Sequence, residues 1–288
     1  MELLVIGATG TVGRHMVPLL ARRGASVLVA TRHPSAVREL PANARAVEFD
    51  FDRPATFAQA AQGVERAFLM LRTGEAHRYE VAQGMIAALE DAGVRHVVEM
   101  TGFGVEEDDT SPMRRVELSL EHSGMAFTHI RPNYFLQNLC SGPLRAGIVD
   151  RDEIAIAAGD ARISFVDARD VAAMAVEALS SRGHEGRAYS VTGGLAVTYA
   201  EIARAIGAAI GRPVTYRALS EDEARRVLTD AGMPPPAIEQ RLGFLELARR
   251  GAFSRVSPDV EKILGRAPIP LEAFALDHAA SWRKEAAP

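Results

Sequence analysis

The sequence predicts an α/β protein, a doubly wound parallel sheet followed by a smaller, mostly helical C-terminal lobe. Three observations carry that prediction. From the N-terminus to about residue 140, short apolar runs alternate with segments of helical periodicity. The runs are almost continuously apolar, as strands covered on both faces require. A glycine-rich turn joins the first run to the first helical segment.

The elements follow in order. Glu2 to Ile6 is the first strand-like run and Ser26 to Arg32 ("SVLVATR") the second. Ala44 to Asp50, Arg66 to Leu71, Arg95 to Thr101 and Phe127 to Pro132 continue the series. Between them lie amphipathic stretches such as Tyr79 to Ala92, where Val81, Met85, Ala88 and Leu89 recur at helical spacing. Farther on, "ISFVDARDVAAMAVEALSS" reads as a strand turning into a helix near Asp167, and Arg187 to Gly194 as a further strand. The remainder reads as helical. Thr198 with Glu201 and Ser220 with Glu223 form capping-box patterns. Ser257 before Pro258 marks another helix start, and "GMPPPA" separates two helices.

Composition narrows the function. The chain has 288 residues, a net charge of −4 and no basic stripe, which argues against nucleic acid as a partner. No apolar run has the length of a membrane span. The single cysteine, Cys140, has no intramolecular partner and reads as a small buried hydrophobe. The start lacks the charged leader of a secretory signal, so the expected location is the cytoplasm. Nothing in the sequence sets the oligomeric state.

The turn "GATGTVG" holds the first functional signal. It follows a strand and opens a helix, the context a dinucleotide-binding βαβ unit needs. Gly7 permits the tight turn, Gly10 lets the backbone approach a phosphate, and Gly13 lets the helix pack closely on the strand. The helix N-terminus offers free N–H groups and a partial positive charge to a pyrophosphate, and Thr9 and Thr11 add hydroxyls. The competing reading is a glycine-rich connection that holds no ligand. The fold expected is therefore Rossmann-like, with residues 1–150 as the NAD(P)-binding domain, residues 163–194 returning to its sheet, and residues 195–288 as the helical lobe. That lobe is expected over the sheet's carboxyl edge, where such sheets bind ligands.

The second run ends in "ATRHP", where an NAD site would carry an acidic residue. Arg32 instead suits a 2′-phosphate by charge and fork geometry, so NADP(H) is favoured over NAD(H). After the third run, Asp50 is positioned for the adenine amino group, with Phe51 beside it. Leu71, Arg72 and Thr73, then Thr101 and Gly102, end the fourth and fifth runs and are expected along the ribose and nicotinamide.

Taken together, "GATGTVGRHMVPLLARRG", "ATRHP", "IRPNYFLQNL", "GDARISFVDARDVAAMAVEAL", "VTYAEIARAIGAAIGRPVTY" and "FALDHAASW" resemble the NmrA-like family of atypical short-chain dehydrogenase/reductases. The family includes NADP-sensing regulators, NAD(P)H:quinone reductases, azo reductases and biosynthetic enzymes. The resemblance implies that Gly7, Thr9, Gly10, Thr11, Val12 and Gly13 hold the pyrophosphate, Arg32 the 2′-phosphate and Asp50 the adenine. It puts Pro132, Asn133, Tyr134 and Phe135 beside the nicotinamide and the substrate. Asp167 and Asp170 match a motif read as structural, with a catalytic role as the alternative.

One departure shapes the function. The superfamily's Tyr-x-x-x-Lys pair is missing; the tyrosine slot falls near Asp109 and the lysine slot near Met113. A ketone or alcohol handled by that proton relay is therefore not expected. Hydride transfer from NADPH to a quinone-like or other aromatic acceptor needs no such relay. The candidate pocket residues are Phe103, Tyr134, Phe135 and Phe165, with Phe244 and Phe253 from the lobe. Tyr134 is the candidate catalytic residue, because its hydroxyl can donate to an acceptor oxygen. His77 and His129 are weaker candidates for moving protons. Two alternatives stay open: a non-catalytic NADP(H)-binding redox sensor with a protein partner, and a tailoring enzyme of a secondary-metabolite (polyketide) pathway.

Overall fold

The computed structural model describes residues 1–71 and 78–284. In chain order its elements are β1 (Glu2–Val5), α1 (Gly13–Arg22), β2 (Ser26–Thr31), β3 (Ala44–Glu48), α2 (Ala55–Ala61), β4 (Arg66–Met70) and α3 (Arg78–Asp91). They continue with β5 (His96–Met100), α4 (Pro112–Glu121), β6 (Ala126–Pro132), α5 (Gly142–Arg151), β7 (Glu153–Ile156), α6 (Ala168–Ser180) and β8 (Arg187–Val191). The last are α7 (Tyr199–Ile210), β9 (Thr215–Ala218), α8 (Glu221–Asp230), α9 (Pro235–Arg249), α10 (Asp259–Leu264) and α11 (Leu271–Asp277).

Contacts divide the chain into two units. The first comprises Met1–Pro132, Ala168–Val191 and Asp259–Arg266. Its seven-stranded sheet has the order β3-β2-β1-β4-β5-β6-β8, and every pairing is parallel. This is the predicted doubly wound α/β arrangement. The order reverses at β1, which lies between β2 and β4, and such a switch point opens a crevice at the carboxyl ends of the strands. The central strands are apolar because both faces are covered. Leu3, Leu4 and Val5 are fully buried, as are Val97 and Val98. On one face, α2, α3 and α4 bury Phe57, Met85, Leu89, Val116 and Leu120 in a single cluster with Leu4, Ile6 and Leu69. On the other, α6 packs against α1, α10 and the central strands.

The second unit comprises Asn133–Asp167, Thr192–Pro258 and Ala267–Pro288. Its helices surround a two-stranded parallel sheet, β7 with β9. Both predicted capping boxes form. Thr198 accepts from the Glu201 N–H at the start of α7, and Ser220 from the Glu223 N–H at the start of α8. Each is worth about 1 kcal/mol to its helix. The closing "FALDHAASW" becomes α11 and a short turn that buries Phe274 and Trp282, and the Trp282 indole donates to the Leu139 carbonyl at 2.8 Å. No described helix is long and apolar enough to cross a membrane.

Several details differ from the sequence reading. The division falls at Pro132, not near residue 150, and Asp259–Arg266 belongs with the sheet. Ile163 to Asp167 is not a strand returning to the sheet: it lies in the second unit and makes only single bridges, Ile163 with Val197 and Val166 with Phe135. The apolar run there is buried, but its backbone partners are Phe135, Val197 and Phe253, and it joins no ladder. β9 stands where only helix was expected, because four residues of mixed polarity carry no period. Cys140 is half-buried, not buried.

The glycine turn makes a sharp demand on the fold. A Cβ on Gly13 would lie 2.3 Å from the Gly7 carbonyl oxygen and 2.5 Å from the Ala8 Cα, both backbone atoms that cannot move aside. Gly13→Ala is expected to destabilise the protein by about 3 kcal/mol, from overpacking against backbone. Urea unfolding midpoints measure it; a loss under about 0.5 kcal/mol, the scatter of neutral surface changes, would mean the turn relaxes freely.

Candidate functional site

The loops that follow β1 to β6 all leave the carboxyl edge of one parallel sheet. The sequence-predicted residues of the first unit therefore share that edge. The β1–α1 turn is built by glycine. Gly7 has φ +75°, and a Cβ there would lie 2.4 Å from the Met70 Cε. The Gly10 N–H donates to the Gly7 carbonyl at 2.9 Å, closing the turn. Val12, 2 % exposed, plugs the turn into the core and precedes α1, which has no side-chain cap. Among the described residues, the N–H groups of Thr9, Thr11, Val12 and Gly13 meet no acceptor, and neither do the hydroxyls of Thr9 and Thr11. A cradle of unpaired donors at a helix N-terminus, kept open by glycine, fits a pyrophosphate.

Arg32 follows β2. Its side chain is exposed and makes no hydrogen bond or ion pair among the described residues. Asp50 follows β3 and is half-buried. One of its carboxylate oxygens accepts from the Asp52 N–H at 3.1 Å and the other from the Arg53 Nε at 3.2 Å. The Asp52 backbone bond, then Arg53 and the charge of Arg32, hold the Asp50 carboxyl below its ordinary value. Asp50 is thus an acceptor within the field of Arg32. α2 has Pro54 at its N-cap position and no side-chain cap. Phe51 packs edge-on against Phe49 at 4.9 Å, next to Phe57.

On the other side of β1, Leu71 is buried at the end of β4, whereas Arg72, Thr73 and His77 lie outside the described residues. The Thr101 N–H donates to Ile130 and the Phe103 N–H to Pro132, which continues the β5–β6 ladder past Gly102. The Thr101 hydroxyl donates to Glu117 at 2.7 Å, so toward a ligand it is an acceptor.

The second unit holds the remaining candidates. Asn133, expected beside the cofactor, is 3 % exposed and its amide is used internally. Its Nδ2 donates to the Ser164 hydroxyl at 2.7 Å and to the Phe253 carbonyl at 2.9 Å, and its Oδ1 accepts from the Tyr134 N–H at 2.8 Å. Both amide protons are engaged, so Asn133 is a brace for Tyr134. The Tyr134 ring lies 5.1 Å from Phe253 and 6.1 Å from Phe165, and Phe165 in turn lies 5.4 Å from Tyr199. Phe135 and the exposed Phe244 make no ring contact with this cluster. The Tyr134 hydroxyl is buried and has no hydrogen-bond partner among the described residues. Burial, with Tyr199 nearby, pushes its pKa well above that of a free phenol, so it stays protonated and keeps a proton to donate.

Comparison with known proteins agrees with the cradle. The sequence matches the NAD(P)H-binding family over residues 7–182. The chain belongs to this family. Over 97 % of its length, and 99 % of the relative's, it is 34 % identical to an NAD(P)H azoreductase of Xenophilus azovorans. It is 35 % identical to the (4-alkanoyl-5-oxo-2,5-dihydrofuran-3-yl)methyl phosphate reductase of Streptomyces griseus, over 98 % of this chain and 100 % of that one. Its fold matches the NADPH-dependent quinone oxidoreductase of Escherichia coli, solved with NADPH, with a TM-score of 0.85 at 24 % identity, covering 96 % of this chain and 99 % of that one.

In this family member, the segment that lacks the Tyr/Lys pair carries a buried ionic network instead. Asp109 pairs with Arg114, and Arg114 also bridges Glu117 at 2.8 Å and Glu121 at 2.5 Å. Arg131 of β6 grips both oxygens of Glu117, at 3.0 and 2.8 Å. His129 is 1 % exposed, between Glu99 at 3.1 Å and Glu121 at 3.3 Å. It lies inside the sheet, three residues short of the strand's end. Burial alone would raise the Glu117 carboxyl, but hydrogen bonds from Arg131 and Thr101 and the charges around it hold it below the usual glutamate value. Burial raises Glu99.

The sequence reading missed Glu117, Arg131 and Glu99. The signal was charge inside apolar strands ("VVEMT", "HIRP") opposite a helix with Arg114, Glu117 and Glu121 on one face. The two aspartates divide between structural contacts. Asp167 accepts from Gln137 at 2.9 Å, and Asp170 pairs with Arg266 at 2.7 Å.

Because the Glu117 pKa is depressed on folding, its stabilising contribution is present above the unfolded pKa, near 4.5, and is lost as pH falls through the folded value. Glu117→Gln, which leaves Arg131 buried beside a neutral amide, is expected to cost about 3 kcal/mol at pH 7. The difference from wild type should shrink in acid. Denaturant titrations at neutral and acidic pH measure both; a pH-independent difference would show that the carboxylate charge is not what holds the network.

Proposed function

We propose that this protein is an NADPH-dependent reductase of quinone-like and related conjugated aromatic acceptors. The observation that carries this reading is the Tyr134 hydroxyl: protonated, buried, without a partner among the described residues, and carried on a ring that packs against Phe165 and Phe253. A buried polar group left unpaired is uncommon, and an acceptor oxygen completes it. The two relatives named above act on an azo compound and on an unsaturated lactone phosphate, both electron-poor conjugated systems.

In this reading the N–H groups of Thr9, Thr11, Val12 and Gly13 hold the pyrophosphate, and Arg32 holds the 2′-phosphate. Asp50 accepts from the adenine amino group, beside Phe51. Leu71, Gly102, Phe103 and Pro132 line the rest of the cofactor path, and the Thr101 hydroxyl accepts a hydrogen bond along it. NADPH bound there supplies a hydride. Tyr134 donates a hydrogen bond to the acceptor oxygen that gains charge, and Asn133 fixes the loop that carries it. A proton from water completes the product, so no Tyr/Lys relay is required.

Two measurements test the reading. Purified protein should oxidise NADPH with simple quinones, saturably and in preference to NADH, and Tyr134→Phe should lower kcat/KM about tenfold through the lost hydrogen bond. An unchanged rate in that variant would remove Tyr134 from the reaction. Arg32→Ala should weaken NADPH binding by about 1.5–3 kcal/mol, the range for a charge-assisted hydrogen bond, and leave NADH binding nearly unchanged. Equal losses for both cofactors would show that Arg32 does not read the 2′-phosphate.

A further inference from the structure

The second unit contains a cation that nothing in the described structure neutralises. Arg241 lies on α9, whose buried residues are Ile238, Leu242, Leu245 and Ala248. Counting three and four residues along a helix, Arg241 falls on the same face as Ile238 and Leu245, the face turned to the core. It is half-buried. Among the described residues it makes no hydrogen bond and no ion pair. The other arginines near the interior of this unit are used: Arg212 holds Asp152 and two carbonyls, and Arg249 donates to the Ala157 carbonyl. A guanidinium at a core-facing position without a counter-charge is costly unless something anionic comes to it.

Two phenols stand in its field. The charge of Arg241 acts on both Tyr134 and Tyr199, opposing the rise that burial imposes on them. Tyr199 is 3 % exposed, and its hydroxyl, like that of Tyr134, has no hydrogen-bond partner among the described residues. Its neighbour Tyr216, stacked on it at 6.1 Å, shows the contrast, since the Tyr216 hydroxyl donates to the Gly159 carbonyl at 2.8 Å. Phe165 lies against both Tyr134 and Tyr199, at 6.1 and 5.4 Å, and so joins the two unpaired phenols in one aromatic cluster.

We propose that Arg241, with the Tyr199 hydroxyl, forms a subsite for an anionic substituent (sulfonate, carboxylate or phosphate) on the aromatic acceptor whose reducible oxygen meets Tyr134. The proposal rests on the reductase reading for the name "acceptor", but the subsite itself is a matter of binding. It adds specificity to a pocket that would otherwise select only for flat apolar rings. A guanidinium suits these oxyanions because it donates in parallel and stays charged at every working pH.

The test uses an isosteric pair, naphthalene-2-sulfonate and the neutral naphthalene-2-sulfonamide, titrated calorimetrically into the full-length protein saturated with NADP⁺. The sulfonate is expected to bind about tenfold tighter, the scale of one charge-assisted hydrogen bond, with the advantage shrinking as salt rises. Arg241→Met should erase the difference, leaving sulfonamide and NADPH affinities within about twofold of wild type. Arg241→Lys should keep part of it. Unchanged NADPH affinity also serves as the control for folding. Equal affinity of the two ligands for wild type, or a preference that survives Arg241→Met, overturns the proposal. In parallel, kcat/KM is compared for 1,4-naphthoquinone and its 2-sulfonate. A sulfonate binding preference without quinone turnover would leave the subsite standing and remove the quinone reading; turnover of both quinones without the preference would do the reverse.

Discussion

The first unit depends on a close approach between two stretches of backbone. Gly13 opens α1 so near the Gly7 carbonyl that even a methyl group would overlap it. That approach brings the helix N-terminus against the end of β1, the strand on which the sheet's order turns. Everything else expected of a dinucleotide site depends on it. Parallel pairing then sends the ends of β2 and β3 to one side of β1 and those of β4, β5 and β6 to the other. An elongated ligand bound by its middle at β1 has Arg32 and Asp50 toward one end and Leu71, Thr101 and Pro132 toward the other. The polarity of the site is thus a consequence of strand order.

The ionic network of the first unit explains how the segment after β5 is held. Three carboxylates and two guanidinium groups occupy the space between β5, β6 and α4, with Glu117 and Glu99 almost wholly buried. Taken singly, each of these charges is expensive to bury. Taken together, Arg131 meets both oxygens of Glu117, and Arg114 ties Glu117 to Glu121 and to Asp109. The last link is Thr101, whose proton is committed to Glu117. The buried end of the network thereby decides that a hydroxyl at the sheet's edge accepts hydrogen bonds and does not give them.

Much of this was legible beforehand. The strands stand out because parallel strands buried on two faces must be apolar, and the glycine turn because a backbone approach that tight excludes any side chain. The capping boxes are local and show in four residues each. What escaped the sequence is what depends on contacts remote in the chain. Ile163 to Asp167 is as apolar as a sheet strand, yet its partners are Val197 and the Phe253 carbonyl, about 30 and 90 residues away. The family resemblance implies a ligand contact for Asn133, and the structure gives its amide to Ser164 and Phe253. Phe253 was one of six candidate aromatics, and nothing in spacing alone separates it from Phe244, which is exposed. Glu117 was hidden because an acidic residue on an amphipathic helix ordinarily faces solvent.

The unpaired Tyr134 hydroxyl has a further consequence. Leaving a buried phenol without a partner costs about 1–3 kcal/mol in the unliganded protein. Asn133 prevents the loop from moving to relieve it, because the Tyr134 N–H is fixed to the Asn133 Oδ1 while the Asn133 amide is fixed to Ser164 and Phe253. On the reductase reading, that cost is recovered only by a ligand that offers an acceptor atom to the hydroxyl. A hydrocarbon of the same shape gains the apolar contact with Phe165 and Phe253 but leaves the donor unsatisfied. On that reading the hydroxyl favours oxygenated over plain aromatic ligands, because only the former accept its proton. The oxygen gains negative charge as it is reduced, so the same hydrogen bond strengthens as reaction proceeds, and binding and rate enhancement come from one group.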